Sequence, residues 1–390
     1  MAGCRGVSGA DRATRATRRF VAVLLALILA PLVAGCERTG SHWQRVELPG
    51  PGRVVALTGT PDGVLVGRYD PAARVRPSLD LLTPDGTTRE VRMRTSWKES
   101  GREAELVSVS AFDDEVVVLG GARAGAHSNV RWTVWSGSTE QVSEQPQRFE
   151  TFGGWDAGSL TGTAISRSGP LILGSWANRS RHGLDVAVWQ QRGEEWSQPA
   201  GAGRALQASG TRQPSPGAVT ALPSGYLAVG WVTVLEPKIR DVAVLWTATE
   251  PAGPWRTMTF PRTDEGIERP TAVACSKDHC AVAGRSGDDV VVWQVPLEDG
   301  APTVVTPPRT VATGALHTQS PTIAVAATAD VDVVAFSEGE STRVVDLGGE
   351  DDDSATDLPG HLAAMTTQPD ASVLLATTRD GTTQAWRHPL

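Results

Sequence analysis

Short runs of Val, Ala and Leu, bounded by Gly, Pro, Asp and Ser, recur along the whole chain beyond residue 36. No apolar periodicity of about 3.6 residues, which an amphipathic helix would require, persists for more than a turn or two. Short apolar runs between turn-forming residues are typical of β-strands. The pattern therefore predicts an all-β fold.

The runs repeat as one unit, in which a strand of small residues, a strand ending near Gly and a strand ending in Trp follow one another. The glycines of the second strand are Gly67, Gly120, Gly174, Gly230 and Gly284, spaced by 53, 54, 56 and 54 residues. Weaker copies follow at Phe336 and Thr377. Short strands repeating with a period of about 50 residues are typical of β-propeller blades. We predict a seven-bladed β-propeller of four-stranded antiparallel blades, with six or eight blades as alternatives.

The two ends of the chain are predicted to share a blade. The last copy stops after its third strand, at Trp386. Residues 42–49 resemble residues 255–261, the outer strand of the fourth copy. An N-terminal strand that closes the last blade would remove an open sheet edge. Residues 42–390 are thus expected to form a single propeller domain.

The tryptophans that end the third strands are expected to be core residues. They are Trp135, Trp189, Trp246 and Trp293. Large aromatic side chains that recur at one position of a repeat are predicted to pack between blades rather than to bind ligands.

The turn after the third strand resembles a motif of a known family. Residues 189–196 (WQQRGEEW) and 246–255 (WTATEPAGPW) resemble the Asp-box, the Ser-x-Asp-x-Gly-x-x-Trp turn of sialidase-type propellers, although neither contains the Asp. The resemblance implies propeller architecture throughout the mature chain. It also implies a sialidase-like carbohydrate-active enzyme as an alternative function, which would need a tyrosine nucleophile. The two tyrosines of the chain are Tyr69 and Tyr226.

The N-terminal segment is predicted to be a targeting signal. Arginines precede an apolar run over residues 21–35, interrupted by Pro31, and a membrane helix would need about 20 residues. The run ends in Val-Ala-Gly-Cys36, which resembles the bacterial lipobox and implies cleavage before Cys36 and attachment of diacylglycerol to its thiol. We therefore expect a signal peptide over 1–35, a lipidated cysteine and short tether over 36–41, and a protein anchored on the extracytoplasmic face of the cell membrane. An uncleaved membrane helix is the alternative.

Two cysteines remain in the predicted propeller, Cys275 and Cys280. The Ser-Lys-Asp-His sequence between them is turn-like and separates two apolar strands, so the two thiols could face each other across a hairpin. An extracytoplasmic location favours a disulfide. A zinc half-site is the weaker alternative because no second Cys/His pair follows.

Long loops join the second and third strands in the first four copies. They carry eight basic and two acidic residues, although the chain after Cys36 has 31 basic and 43 acidic residues. The candidate binding residues are Arg74, Arg76, Arg123, Trp176, Arg179, Arg181, Trp231 and Arg240. Because strand direction alternates, these loops lie on one face, and we predict that they bind an anionic ligand or an acidic protein partner. A solvated set of Arg-rich loops is the alternative.

Other function classes are disfavoured. A net charge of −8 argues against non-specific nucleic-acid binding. The sequence contains no metal-ligand spacing, phosphate loop or nucleophile-base constellation, so no cofactor, metal or catalytic residue is predicted. We expect a non-catalytic binding or scaffolding module, with an accessory subunit of a cell-envelope membrane complex as a further alternative.

Overall fold

Antiparallel strands form almost all the regular structure of residues 43–96, 99–124, 129–154, 156–177, 183–200, 202–262, 266–316, 322–348 and 353–389, which the computed structural model describes. The strands are β1 Gln44–Val46, β2 Arg53–Thr60, β3 Gly63–Tyr69, β4 Pro77–Leu82, β5 Thr88–Arg94, β6 Glu105–Phe112, β7 Glu115–Ala124, β8 Asn129–Ser138, β9 Gln141–Glu144, β10 Ala157–Ser166, β11 Gly169–Ala177, β12 Leu184–Arg192, β13 Glu195–Ser197, β14 Arg212–Leu222, β15 Gly225–Val234, β16 Arg240–Ala248, β17 Arg256–Thr259, β18 Glu268–Cys275, β19 His279–Ser286, β20 Asp289–Glu298, β21 Ala301–Pro302, β22 Arg309–Ala312, β23 Ile323–Ala327, β24 Asp332–Glu338, β25 Ser341–Leu347, β26 Asp353–Pro359, β27 His361–Thr367, β28 Val373–Arg379 and β29 Thr382–His388. The short helices are α1 Glu99–Glu103, α2 Phe149–Phe152 and the 3-10 turn Arg204–Leu206. No helix in these ranges is long and apolar enough to cross a membrane. The predicted all-β class is confirmed.

Consecutive strands pair in antiparallel sheets. Four-stranded sheets are formed by β10 to β13, β14 to β17 and β23 to β26, while β18 to β21 form a sheet whose strand β20 also pairs with β22. Strands β2 to β9 form an eight-stranded sheet whose two antiparallel halves meet through parallel pairing of β5 with β9. Strand β1 pairs with β29, so the chain's first described strand completes the sheet of β27, β28 and β29.

The first strands of successive antiparallel sets meet around an axis. Strand β2 contacts β6, β6 contacts β10, and the series continues through β14, β18, β23 and β27, which contacts β2 again. Sheets that radiate from such a closed ring of first strands are the architecture of a β-propeller. The chain therefore folds as a β-propeller.

Apolar side chains fill the spaces between neighbouring sheets. Trp246 of β16 packs in one cluster with Leu171 and Leu173 of the preceding sheet. The last sheet is joined to the first by Leu374 and Ala376, which pack against residues of β2 and β3. Trp135, Trp189, Trp246 and Trp293 are all at most 1% exposed. The prediction that these tryptophans pack between sheets is confirmed.

The periodic glycines lie where the first strand of a sheet bulges. Gly230 pairs with Pro216, immediately before a register shift in β14. A Cβ atom on Gly230 would lie 2.1 Å from the carbonyl oxygen of Ser215. The other periodic glycines of the second strands also lie opposite a register shift in the first strand. They are Gly67, Gly120, Gly174 and Gly284. A bulge bends its strand locally, and at Gly230 the Ser215 carbonyl leaves no room for a side chain.

Candidate functional site

The segments that join second to third strands lie on one face of the propeller, which we call the loop face. Residues 70–76 and 235–239 are two of these segments. Arg74 is exposed on the first of these segments. Arg76 is half-buried and forms an ion pair with Glu103 of α1 at 3.5 Å. Its backbone N–H donates to the carbonyl of Arg102 at 2.8 Å. Helix α1 therefore holds this segment in place and neutralises one of its two arginines.

Arg68 at the end of β3 is a structural residue. Its side chain is 2% exposed, and its Nε donates to Asp80 at 3.1 Å. Its Nη2 donates to the carbonyls of Leu48 and Pro49 at 3.1 and 2.9 Å. Burial raises the pKa of Asp80, and the Arg68 guanidinium offsets only part of that rise. Although Arg68 contributes to the basic count of the loops, it presents no charge to a ligand.

A guanidinium and an aromatic ring meet on the loop face where β15 and β18 approach each other. The guanidinium of Arg269 lies over the Trp231 indole, 5.3 Å from the ring centroid. The Arg269 Nε donates to Asp241 Oδ2 at 2.6 Å, and Thr233 donates to the other oxygen of Asp241 at 2.6 Å. The Asp241 side chain is only 6% exposed, whereas that of Arg269 is 34% exposed. The carboxylate therefore lies beneath the surface and forms an ion pair with a guanidinium that remains accessible.

A second guanidinium over an aromatic ring lies between the first strands β2 and β6. Arg53 lies 5.2 Å from the centroid of Tyr69 and forms a 2.7 Å ion pair with Glu105. Arg53 pairs with Tyr69 in the sheet register. In this second arrangement Glu105 is itself about half exposed, so the accessible charge is neutralised at the surface.

The sequence analysis missed Arg53 and Arg269 because it considered only the loops. Both residues lie at the start of a first strand, next to the same face. The available signal was a charged residue that precedes or opens the first strand of the first five copies: Arg53, Glu105, Asp156, Arg212 and Glu268.

The remaining predicted residues are spread around the ring. Arg123 is exposed on β7, and Arg240 is half-buried at the start of β16. Trp176 is half-buried on β11, with its ring edge-on to Trp189 at 5.8 Å. Among the described residues, no hydrogen bond, ion pair or ring contact joins Arg74, Arg76, Trp176, Trp231 or Arg240 to one another. Arg179, Arg181 and Cys36 lie outside the described residues, as do the predicted signal peptide and tether.

Cys275 and Cys280 form a disulfide with Cα atoms 3.9 Å apart. They are direct partners across the hairpin of β18 and β19. The predicted disulfide is confirmed, and because both sulfurs are bonded to each other the zinc half-site was the wrong alternative. In the described part of the chain, no group of three His, Cys, Asp or Glu side chains could hold a metal ion.

The two tyrosines have structural partners. Tyr226 is fully buried, and its hydroxyl donates to the Gly169 carbonyl in the preceding sheet. Burial raises the pKa of Tyr226, which disfavours the phenolate that a tyrosine nucleophile requires. Tyr69 lies under Arg53.

A cavity of about 780 Å³ opens along the axis of the ring. Its wall is made of aliphatic side chains and hydroxyls, and none of the described lining residues is charged. Several hydroxyls donate to carbonyls of the neighbouring first strand, such as Thr58 to Val109 at 2.6 Å and Ser110 to Thr163 at 2.7 Å. The described lining of the axial cavity therefore supplies no positive charge, whereas the guanidinium of Arg269 is accessible on the loop face.

No protein-family model and no curated protein matches the chain. Solved structures do resemble it. The periplasmic gluconolactonase PpgL of Pseudomonas aeruginosa is 13% identical, with a TM-score of 0.50 over 80% of this chain and 87% of that chain. TolB from Acinetobacter baumannii is 13% identical, with a TM-score of 0.42 over 90% of this chain and 71% of that chain. The six-bladed β-propeller lectin of Aleuria aurantia is 13% identical, with a TM-score of 0.41 over 79% of this chain and 96% of that chain.

Proposed function

We propose that this protein is a lipid-anchored, extracytoplasmic β-propeller of seven blades that binds an anionic ligand or an acidic protein partner without catalysing a reaction. The observation that carries the binding proposal is the guanidinium of Arg269, held over Trp231 by the buried Asp241. A guanidinium held in one position before binding loses little conformational freedom when a ligand binds, which favours affinity.

The geometry of Arg269 suits a carboxylate or phosphate. Its described hydrogen bond uses Nε alone. The two Nη groups can therefore donate in parallel to two oxygens of one oxyanion. The Trp231 indole beneath the guanidinium supplies apolar contact area beside the charge.

The blade count is supported by the contacts of the first strands. The ring passes through β2, β6, β10, β14, β18, β23 and β27, and each of these strands begins a set of antiparallel strands. We propose that each set is one blade and that β1 supplies the outer strand of the last. A rigid ring of this kind presents loop-face residues in fixed positions, as a binding module requires.

The membrane anchor rests on the sequence. The lipobox-like residues 33–36 predict that Cys36 carries diacylglycerol. After cleavage the protein has 31 basic and 43 acidic residues, so acidic headgroups would repel it, and the acyl chains would have to hold it at the membrane.

A titration with hexaglutamate tests the binding proposal, with hexaglutamine as the uncharged probe. We expect hexaglutamate to bind at low salt and to bind at least about tenfold more weakly when the Debye length shrinks from about 10 Å at 0.1 M salt to about 3 Å at 1 M. Arg269→Ala and Trp231→Ala should each weaken binding. Arg387→Ala is the matched control, because Arg387 is also ion-paired and 41% exposed but lies beside the turn at Asp370. Equal loss in Arg387→Ala, or no preference for hexaglutamate over hexaglutamine, would contradict the proposal.

A further inference from the structure

The axial cavity, of about 780 Å³, has a wall to which all seven first strands contribute. The lining residues come mostly from the second half of each strand and continue into the following turns at Pro61 and Pro369. The cavity is therefore bordered by the turns that join first to second strands. These turns lie opposite the loop face, on the side of the ring that we call the turn face.

Hydroxyl oxygens in this wall are hydrogen-bond acceptors. The Thr58 hydroxyl donates to the carbonyl of Val109 at 2.6 Å. The Ser110 hydroxyl donates to the carbonyl of Thr163 at 2.7 Å, and the Thr367 hydroxyl donates to a carbonyl of β23 at 3.3 Å. A hydroxyl has one proton and two lone pairs, so these oxygens still accept after their protons are used. The bonds also tie neighbouring first strands together, so the wall is formed before a ligand binds.

Aliphatic side chains also line the cavity. Leu57, Ile165, Val219 and Val273 are among them, and no charged side chain is present in the described lining. The volume of about 780 Å³ far exceeds the roughly 30 Å³ that one water molecule occupies in the liquid. A ligand of several linked groups therefore fits, and to match this wall it must combine apolar groups with hydrogen-bond donors.

The turns that border the cavity carry an excess of negative charge. Exposed acidic residues occupy five of the seven turns between first and second strands, in which Arg167 and Lys277 are the basic residues. The acidic residues are Asp62, Asp113, Asp114, Asp278, Asp330 and Asp370. Asp370 forms an ion pair with Arg387. Even without Asp370, carboxylates outnumber basic groups in these turns, and they attract cations.

We infer that the axial cavity binds a linear aliphatic amine that enters from the turn face. An alkylammonium group has three N–H donors and no acceptor, which suits oxygens that have already used their protons. Its methylene groups suit the aliphatic part of the wall. The carboxylates of the turns raise the local concentration of a cationic ligand and repel an anion. A hydrated metal ion would gain nothing from the aliphatic side chains.

The inference goes beyond the proposed function and can fail independently of it. Arg269 and Trp231 lie on the loop face and are proposed to bind an anionic group. The axial cavity borders the opposite face and is proposed to bind a cation. A protein that binds hexaglutamate but no amine would retain the first proposal and lose this one.

The test is a calorimetric titration of the full chain in detergent with cadaverine, a linear diamine. The diol and the dicarboxylate of the same chain length, pentanediol and glutarate, are the neutral and anionic probes. We expect cadaverine to bind at low salt with a Kd of about 1 mM, a weak affinity on the usual scale, and the other two probes to show no saturable binding. Absence of saturable cadaverine binding, or equal binding of pentanediol or glutarate, would overturn the inference.

Magnesium chloride distinguishes an amine site from general attraction of counterions. Mg²⁺ has the same charge as cadaverine but no methylene groups. We expect cadaverine to remain bound in the presence of an equal concentration of Mg²⁺. Full displacement of cadaverine under this condition would mean that any dication suffices, and the inference would be lost.

A cavity variant and a variant of the turns locate the site. Thr220→Trp places an indole at a lining position of β14 and should abolish cadaverine binding, with circular dichroism as the check on folding. The double variant Asp62→Asn with Asp330→Asn changes exposed side chains in the turns, so it keeps the test valid if Thr220→Trp fails to fold. It should weaken binding about threefold at low salt, because each exposed charge contributes little, and the difference should shrink at high salt.

The matched control is the double variant Glu194→Gln with Asp299→Asn. Both residues are exposed acids that lie in turns between third and fourth strands, at the outer edge of their sheets. The control changes the net charge by the same amount as the first pair, and we expect it to bind cadaverine like the wild type. Equal weakening in the two pairs, or wild-type affinity in the Asp62 and Asp330 pair, would place the amine elsewhere and refute the assignment.

Discussion

Arg45 on the first described strand is the antiparallel partner of Trp386 on the last. Beside this pair, Trp43 is 6% exposed and meets His388 edge-on at 5.1 Å. The segment after β1 is also tied to the next sheet, because buried Arg68 donates to the carbonyls of Leu48 and Pro49. One short N-terminal segment thus links the last sheet to the first.

Deletion of residues 41–49 should destabilise the whole ring. It removes the buried Trp43, opens the edge of β29 and leaves the Arg68 guanidinium without two of its acceptors. Loss of a buried tryptophan alone costs about 3 to 5 kcal/mol, so we expect the free energy of unfolding in urea to fall by at least about 3 kcal/mol. Arg45→Ala is the control, because this exposed side chain should change stability by less than about 0.5 kcal/mol. An unchanged melting temperature after the deletion would show that the terminal strand does not hold the ring.

Gly230 should not tolerate a side chain. A Cβ atom would lie 2.1 Å from the Ser215 carbonyl oxygen in the bulge of β14. Gly230→Ala must displace this backbone, and we expect a loss of about 1 to 3 kcal/mol in the free energy of unfolding. Gly210→Ala is the control, since no atom lies within 4 Å of the Cβ position there. Equal stability of the two variants would mean that the bulge does not select glycine.

The fold could be predicted because several repeats carry the same local constraints. Glycine opposite a bulge and tryptophan between sheets recur in successive copies, so Gly230 and Trp246 correspond to Gly174 and Trp189. The sixth copy is weaker because its register has no shift between β23 and β24. Without a bulge, Phe336 can occupy the place of the glycine.

The candidate site was harder to predict because its contacts cross between sheets. Arg269 meets Trp231 and Asp241 from positions 38 and 28 residues away in the chain. A count of charged residues along the sequence also does not show which of their side chains are buried. Arg68 and Arg74 belong to the same segment of sequence, yet Arg68 is sequestered by Asp80 and two carbonyls while Arg74 is exposed. Pairing of this kind depends on tertiary structure and leaves no periodic signal.

Replacement of Cys36 by Ala should release the protein from membranes or leave it unprocessed. The reason is that the acyl chains on the Cys36 thiol are the predicted anchor of an acidic protein. Detergent phase partitioning and the mass of the mature N-terminus report the result. Cys4→Ala is the control, because this cysteine lies in the segment predicted to be removed. Membrane-bound Cys36→Ala protein, still cleaved at this position, would refute the lipoprotein assignment.

His279 connects two neighbouring sheets through its ring. Its Nε2 lies 2.8 Å from Oδ1 of Asp332 on β24, and its Nδ1 lies 3.0 Å from the Ser276 hydroxyl. Gln294 donates to the other oxygen of Asp332 at 3.1 Å. The hydrogen bond to Asp332 raises the pKa of His279 above its ordinary value of 6.5, with the charges of Asp332 and Asp278 acting in the same direction and burial opposing them.

The contribution of His279 to stability should therefore be largest at acid pH. A group whose pKa is raised by folding stabilises the native state fully below its unfolded pKa, here 6.5, and loses that contribution as the pH rises through the folded value. We expect the difference in unfolding free energy between wild type and His279→Gln to be greatest near about pH 5.5 and to shrink toward about pH 8.5. Taking this difference at each pH cancels the titration of the groups that the substitution leaves unchanged. His361→Gln is the matched comparison, because it replaces an exposed imidazole by the same amide. A difference for His279→Gln that grows with pH would mean that the neutral imidazole is the form that the Asp332 contact stabilises.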